Sequence, residues 1–513
     1  MLHLLRCGLL GASLLAAAPA ASALQSDRAP ARTSNSLRTL LGRTTAPGRQ
    51  AAPVQLRNSA ASVAWIQRIA VNAPAGGPVN SEFTSWVLRL TVPATGESEA
   101  FTLHVPGTPL GVPRPLLVGF HGFGVSHLDF SYFNTDFLQE AASRDWLVLA
   151  PAQFNPATGS WDDSWASTAS QLHVEALMDY VISHWAVDLD RIYGVGFSMG
   201  GGNALSYAAR HRDRDLGAFA AVINHTGSVC ISDVYANNPP SATCSAVHPN
   251  PTQANMRDTF GAPPPSFAYQ RSSLIDLDAN GQLIAGGRHM AVNLADVPVR
   301  THYSALDTIG YLREQSIAFD GFLRPRPEMS SSLIVETQSV CPSSSCNSPS
   351  EHCWDILDAT ASCDWLSLHT LEAAPPRGEL LADRDARWGG LEVELHQQGS
   401  FGAATYDIAS SPPTVQLLGR ENLARVAVDL EAYGLDPNAG FDLVTSGADP
   451  LGTEFVFSDV SAPPSQVTRE TVTVAPACPL PVGAKPPAWC YDAATRQLRI
   501  WEGGAASVSW RIR

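Results

Sequence analysis

Lysine is almost missing from this chain of 513 residues, where Lys485 is the only one. Charged residues of every kind make up only 16% of the sequence, and the formal net charge is −15. Proteins that grip a phosphate backbone or an anionic membrane do so with clustered lysines and arginines. The acidic balance and the lack of basic runs therefore argue against nucleic acid and anionic lipid as partners. Long apolar runs are also lacking. After the N-terminus no stretch approaches the roughly 20 apolar residues that cross a bilayer, so no membrane span is expected. There is no C-x-x-C pair with histidines at zinc-finger spacing, which leaves no metal site to predict. No internal repeat stands out.

Apolar residues make up 45% of the chain, a normal share for a globular protein, and the length leaves room for more than one domain. At the N-terminus Arg6 precedes an apolar stretch over residues 9–18, and Ala21-Ser22-Ala23 is a small-residue cleavage site. Residues 1–23 thus read as a signal peptide. Residues 24–62 carry Ser, Arg, Pro, Ala and Thr without apolar periodicity and read as a disordered linker. Export to an extracellular or periplasmic space is the expectation. Removing Cys7 with the signal leaves eight cysteines, an even set that suggests disulfides in an exported chain. They fall in sequence-local couples, so the pairs expected are Cys230 with Cys244, Cys341 with Cys346, Cys353 with Cys363, and Cys478 with Cys490.

From residue 63 the pattern becomes ordered. Residues 86–92 and 100–105 read as two strands joined by a turn. The continuous apolar run 115–120 predicts a strand buried on both faces. A helix over 133–143, a strand over 146–150, a helix over 172–184 and a strand ending at Phe197 follow. Alternation of strand and helix is the signature of a doubly wound, mostly parallel sheet, the α/β class. Strands are further expected over 219–224, 297–302 and 333–340. Between the first two of these, residues 230–290 break the rhythm and read as a cap or insertion over the site. Within that insertion, Asp276 to Gly281 has the opening of a calcium loop without its closing glutamate, so a solvated turn is predicted there. After Pro375-Pro376 the texture changes to short alternating segments with Gly, Pro and Asn turns, which predicts an all-β sandwich over 376–513. Residues 63–375 would form the α/β domain.

Gly196-Phe197-Ser198-Met199-Gly200 matches G-x-S-x-G at the junction of a predicted strand and helix. A strand turning sharply into a helix with a serine at its apex exposes the hydroxyl, and the helix N-terminus behind it favours developing negative charge. The neighbouring Gly194-Val195-Gly196 could suggest a dinucleotide fingerprint, but the third glycine falls one position late. A serine hydroxyl becomes a good nucleophile only when a base takes its proton, and that base needs a partner to fix its tautomer. With this elbow the order is serine, acid, histidine. Asp307, after the 297–302 strand, is the candidate acid, with Asp296 and Asp320 as rivals. His352, after the last strand, is the candidate base, with His369 as its rival. The oxyanion would be held by two backbone amides: that of Met199, next to the nucleophile, and that of Phe123 in the loop His121-Gly122-Phe123-Gly124.

Taken together, these strings resemble the secreted α/β-hydrolase esterases of the polyhydroxybutyrate depolymerase and feruloyl esterase group. The matching stretches are 120–124, 187–201, Asp307 in its loop, and His352-Cys353-Trp354-Asp355 followed by Trp365-Leu366. Asp162-Asp163 before the 171–184 helix is similar to paired aspartates of that group. The resemblance spans residues 114 to about 368 and implies an α/β-hydrolase fold and a serine carboxylic-ester hydrolase that needs no metal or organic cofactor. It also implies a substrate that is a polyester, such as a polyhydroxyalkanoate, or a feruloylated polysaccharide. The family usually has His-Gly before the acid, where this chain has Tyr303-Ser304. It often has glycine before the base, where this chain has Glu351. The same triad could serve a peptidase or a thioesterase. In a further reading the hydrolase fold is inert and residues 376–513 bind a polymer.

Overall fold

Seven residues of one strand, Arg114–Phe120, are all buried, as the continuous apolar run in the sequence predicts. They form the middle of a nine-stranded sheet in a computed structural model. The structure describes residues 63–68, 83–107, 111–132, 135–161, 163–237, 251–261, 264–341, 351–371, 373–447, 451–480, 486–503 and 507–513. The predicted signal peptide and linker, with Asp162, Cys244 and Cys346, lie outside these residues.

The strands of the sheet are β1 (Val63–Arg68), β2 (Phe83–Thr91), β3 (Ser98–Pro106), β4 (Arg114–Phe120), β5 (Leu147–Pro151), β6 (Val187–Phe197), β7 (Ala221–His225), β8 (Val299–Ser304) and β9 (Ser331–Glu336). Their spatial order is β1-β2-β3-β5-β4-β6-β7-β8-β9. Pairing is antiparallel from β1 to β3 and between β3 and β5. From β5 through β4 to β9 it is parallel. The chain passes from β4 to β5 on one side and then returns to β6 on the other. The crevice outside the carboxyl ends of β4 and β6 is thus the switch point at which open α/β sheets bind their ligands.

The helices are α1 (Asp129–Tyr132), α2 (Thr135–Ser143), α3 (Thr168–His184), α4 (Met199–Arg210), α5 (Ile231–Asn237), α6 (Pro251–Phe260), α7 (Phe267–Ser272), α8 (Gly310–Leu323) and α9 (Ala359–Ser367). Ser167 caps α3 by accepting a hydrogen bond from the Ser170 amide at 3.3 Å. One core layer joins Leu177 and Val181 of α3 and Leu205 of α4 to Leu116, Val118 and Phe120. The opposite layer joins Leu138 of α2 and Cys363 and Leu366 of α9 to Leu117, Tyr193 and Val195. The alternation of β4 residues between the layers is the period of two that a strand imposes.

Helices α5, α6 and α7 occupy the stretch read as an insertion. In its turn, Asp278 Oδ1 accepts the amides of Asn280 at 2.8 Å and Gln282 at 2.9 Å. Beyond residue 375 the chain forms a seven-stranded and a six-stranded sheet. Their inner faces share one core. Tyr406, Val415 and Leu443 come from one sheet, and Val393, Phe455 and Ile500 from the other. This is the sandwich expected from the alternating pattern.

The predicted cysteine couples need correction. Cys341 pairs with Cys353, which excludes Cys341–Cys346 and Cys353–Cys363. The Cα atoms of Cys341 and Cys353 lie 5.9 Å apart, a separation that a disulfide spans. Cys363 faces the core from inside α9, and both it and Cys230 are buried free thiols. Cys478 pairs with Cys490 as expected.

Candidate active site

Ser198 stands at the apex of the turn between β6 and α4, with φ 55° and ψ −123°. This is a backbone region that non-glycine residues rarely adopt, and such strain collects at functional positions. Two glycines make the turn possible. A Cβ on Gly196 would lie 2.1 Å from the Gly200 carbonyl oxygen, and one on Gly200 would lie 2.1 Å from that of Phe120. Ser198 occupies the capping position of α4, yet its side chain makes no capping hydrogen bond. The hydroxyl is therefore not spent on the helix it begins. Its backbone is held by the His225 carbonyl, which accepts the Ser198 amide at 2.9 Å.

Asp307 follows β8 and is almost fully buried. Its Oδ1 accepts the Ile309 amide at 2.7 Å, and its Oδ2 lies 2.7 Å from His352 Nδ1. A carboxylate can only accept, so Nδ1 carries the proton and Nε2 is left as the basic nitrogen. The Phe197 ring, next to the elbow serine, lies 4.6 Å from the imidazole. The structure thus brings Asp307 and His352 together beside the elbow. Among the described residues no hydrogen bond yet joins Ser198 Oγ to His352. The rivals lie elsewhere. Asp320 is paired with Arg324 on α8, and His369 sits against the Trp365 ring at 4.6 Å. Asp296 occupies a left-handed position before β8.

Several neighbours were not singled out from the sequence. His225 Nε2 lies 2.7 Å from the Cys353 carbonyl oxygen, to which it must donate. Through its own carbonyl and this ring contact, one residue of β7 ties the serine turn to the histidine loop. Burial, aided by the neighbouring His352, lowers the His225 pKa to about 4, so the ring is neutral at ordinary pH. Burial likewise lowers His302, on β8, to about 3. The only sequence signal for either was a histidine at a predicted strand end.

His121 braces the loop of Phe123 with contacts to the Gly122 carbonyl at 2.8 Å and the Ala152 carbonyl at 3.0 Å. The Phe123 ring stacks on Trp165 at 5.3 Å, and Trp165 has a left-handed φ of 46°. Met199 opens α4, so its amide belongs to the first turn and has no partner inside the helix. Met199 and Trp165 belong to an apolar cluster that Val234 of α5, Met256 of α6, Tyr269 of α7 and Leu312 of α8 complete. The helices between β7 and β8 therefore wall the crevice at the switch point. The broken rhythm over 230–290 pointed to a cap over the site, but not to which side chains pack here.

Strand order, elbow and helical layers define an α/β-hydrolase fold followed by a β-sandwich. No family model and no curated protein matches the chain. Among solved structures it is similar to a ferulic acid esterase at 15% identity, over 56% of this chain and 98% of that one, with a TM-score of 0.37. It is also similar to an S-formylglutathione hydrolase from Agrobacterium tumefaciens at 12% identity, over 60% and 100%, with a TM-score of 0.39. A third is an acetyl xylan esterase from Paenibacillus sp. R4, at 15% identity over 54% and 82%, with a TM-score of 0.35.

Proposed function

We propose that the chain is an exported serine hydrolase of carboxylic esters. Ser198 is the nucleophile, His352 the general base, Asp307 its orienting carboxylate, and the Phe123 and Met199 amides the oxyanion donors. The observation that carries this reading is the 2.7 Å contact of His352 Nδ1 with Asp307 Oδ2, at the same sheet edge as the strained elbow serine.

The chemistry follows from these positions. Ser198 Oγ adds to the ester carbonyl carbon as its proton passes to His352 Nε2. The carbonyl oxygen becomes an oxyanion facing the two amides. The tetrahedral adduct collapses, the C–O bond to the alcohol breaks, and the imidazolium gives its proton to the leaving oxygen. Water then repeats the addition on the acyl-enzyme, with His352 again taking the proton. Asp307 holds the Nδ1–H and stabilises the imidazolium in both halves. A Ser198–His352 hydrogen bond would form when substrate binds, since catalytic hydrogen bonds close up in the substrate complex.

The two disulfides support an oxidising compartment. The substrate we assign is a polyester, such as a polyhydroxyalkanoate, or a feruloylated polysaccharide. The resemblance of the motif strings supports this, as does the aromatic wall of Phe123 and Trp165 beside the serine. The test is to treat the purified protein with a fluorophosphonate, record its intact mass and map the modified peptide, with Ser198→Ala as control. One adduct on Ser198 that the variant lacks is expected. Absence of an adduct, under conditions that label a control esterase, would sink the reading.

A further inference from the structure

His352 is flanked by two residues that are both tied to the segment 339–341. On one side Cys353 is joined covalently to Cys341. On the other, Glu351 turns its side chain back across the same loop. Its Oε1 accepts the Ser339 hydroxyl at 2.5 Å, and its Oε2 accepts the Val340 amide at 3.0 Å and the Cys341 amide at 3.3 Å. Glu351 is also left-handed, with φ 57°. Glycine takes that conformation without steric cost, whereas glutamate does not. A glutamate at such a position calls for a reason in its side chain, and the three hydrogen bonds supply one. They also hold its carboxyl below the usual range, the Ser339 hydroxyl contributing most.

We propose that Glu351 is a positioning residue for His352: its carboxylate clamp holds the left-handed turn that aims the imidazole between Asp307 and Ser198. This rests on His352 being the general base. The disulfide alone anchors one side of His352 and leaves the backbone free to swing about residue 351. The clamp removes that freedom, and His225 fixes the third point by its contact with the Cys353 carbonyl. Glu351 touches neither substrate nor the reacting atoms, so its effect runs wholly through where His352 sits.

The test compares wild type with Glu351→Gly, which keeps the turn accessible and removes the clamp, and with Ser339→Ala, which removes a single hydrogen bond. Both are assayed on a soluble p-nitrophenyl ester across pH and for their rate of fluorophosphonate labelling at Ser198. For Glu351→Gly, kcat and labelling rate should fall together by about 10- to 100-fold, with KM within about twofold, as expected when a catalytic group is displaced by an ångström or so. Ser339→Ala should fall in between. In wild type and in Ser339→Ala the acidic limb of the kcat profile should steepen where Glu351 takes up a proton, and in Glu351→Gly that feature should vanish. A purely structural residue would lower the melting temperature without coupling kcat to labelling. The proposal is overturned if both variants fold and turn over at the wild-type rate with the wild-type pH profile. If Glu351→Gly does not fold, an unchanged Ser339→Ala overturns it. If wild type itself is not labelled at Ser198, the hydrolase reading fails and this inference fails with it.

Discussion

At the scale of single residues, the hydrogen bonding of Asp307 makes an informative substitution possible. Its Oδ1 accepts the Ile309 amide, so in Asp307→Asn the side-chain oxygen stays on that amide and the NH2 turns toward His352. Two donors cannot face each other. The imidazole would move its proton to Nε2 and could no longer accept from Ser198. The expected loss in kcat is about 10³- to 10⁴-fold with KM little changed, the size seen when such a carboxylate becomes an amide in serine proteases. Steady-state kinetics on a p-nitrophenyl ester measure it, and a variant within tenfold of wild type would remove Asp307 from its role. That Asp307 and His352 meet, and that Ser198 stands at a strand-to-helix turn, was legible in the sequence because their order along the chain follows strand ends. Glu351 was legible only as a departure from glycine. Its clamp depends on a backbone angle and on a loop folding back, and neither leaves a periodic trace.

At the scale of elements, the strands that flank the site carry a pH dependence. His225 on β7 has its pKa lowered from 6.5 to about 4, and His302 on β8 from 6.5 to about 3, burial being the largest cause for each. In the unfolded chain both take up protons near 6.5, while in the folded chain they do not. Between those values the unfolded state binds more protons, so stability rises with pH in that window. The contribution of this pair is complete above 6.5 and is lost progressively as pH falls toward 4 and 3. The melting temperature should drop steadily from pH 7 to pH 4, with a shallower slope in His225→Gln. A level melting temperature over that range would contradict the neutral burial of these rings. The elements themselves were legible wherever one physical rule dominated: β4 from its unbroken apolar run, α3 from its periodicity. Cysteine pairing was not, since proximity in sequence says little about a loop whose ends meet.

At the scale of the molecule, the C-terminal sandwich is built into the α/β half. Leu381, on the first strand of the sandwich (Arg377–Ala382), belongs to the main core of the nine-stranded sheet. Asn293 grips its backbone from both sides, donating to the Leu381 carbonyl at 2.8 Å and accepting its amide at 2.9 Å. Asp383 is buried between Arg210 of α4 at 3.3 Å and Arg271 of α7 at 2.7 Å. Burial alone would raise its carboxyl pKa, but these cations and Arg384 outweigh it and hold it low. Removing one partner of a buried ion pair leaves the other charged and stranded, so Asp383→Ala should cost about 3 kcal/mol in denaturant unfolding. Residues 63–375 expressed alone should aggregate, for they would expose the surface that Leu381 covers. A soluble, monomeric fragment with full esterase turnover would show the halves to be independent. The sequence displayed the change of texture near residue 375, and a boundary there suggests a separable module. It could not display Asp383, one aspartate among many, as the bolt across that boundary.

The strand that carries Leu381 also has a consequence in time. A ribosome releases residues 63–375 before it releases the segment that closes their core. Until then the core stays open near Asn293, where Leu381 will pack, and α4 ends in the unneutralised cation Arg210. The α/β half therefore cannot lock shut while the chain is still being made. That delay would keep the Ser198 turn at the head of α4 from its final packing until synthesis is nearly complete.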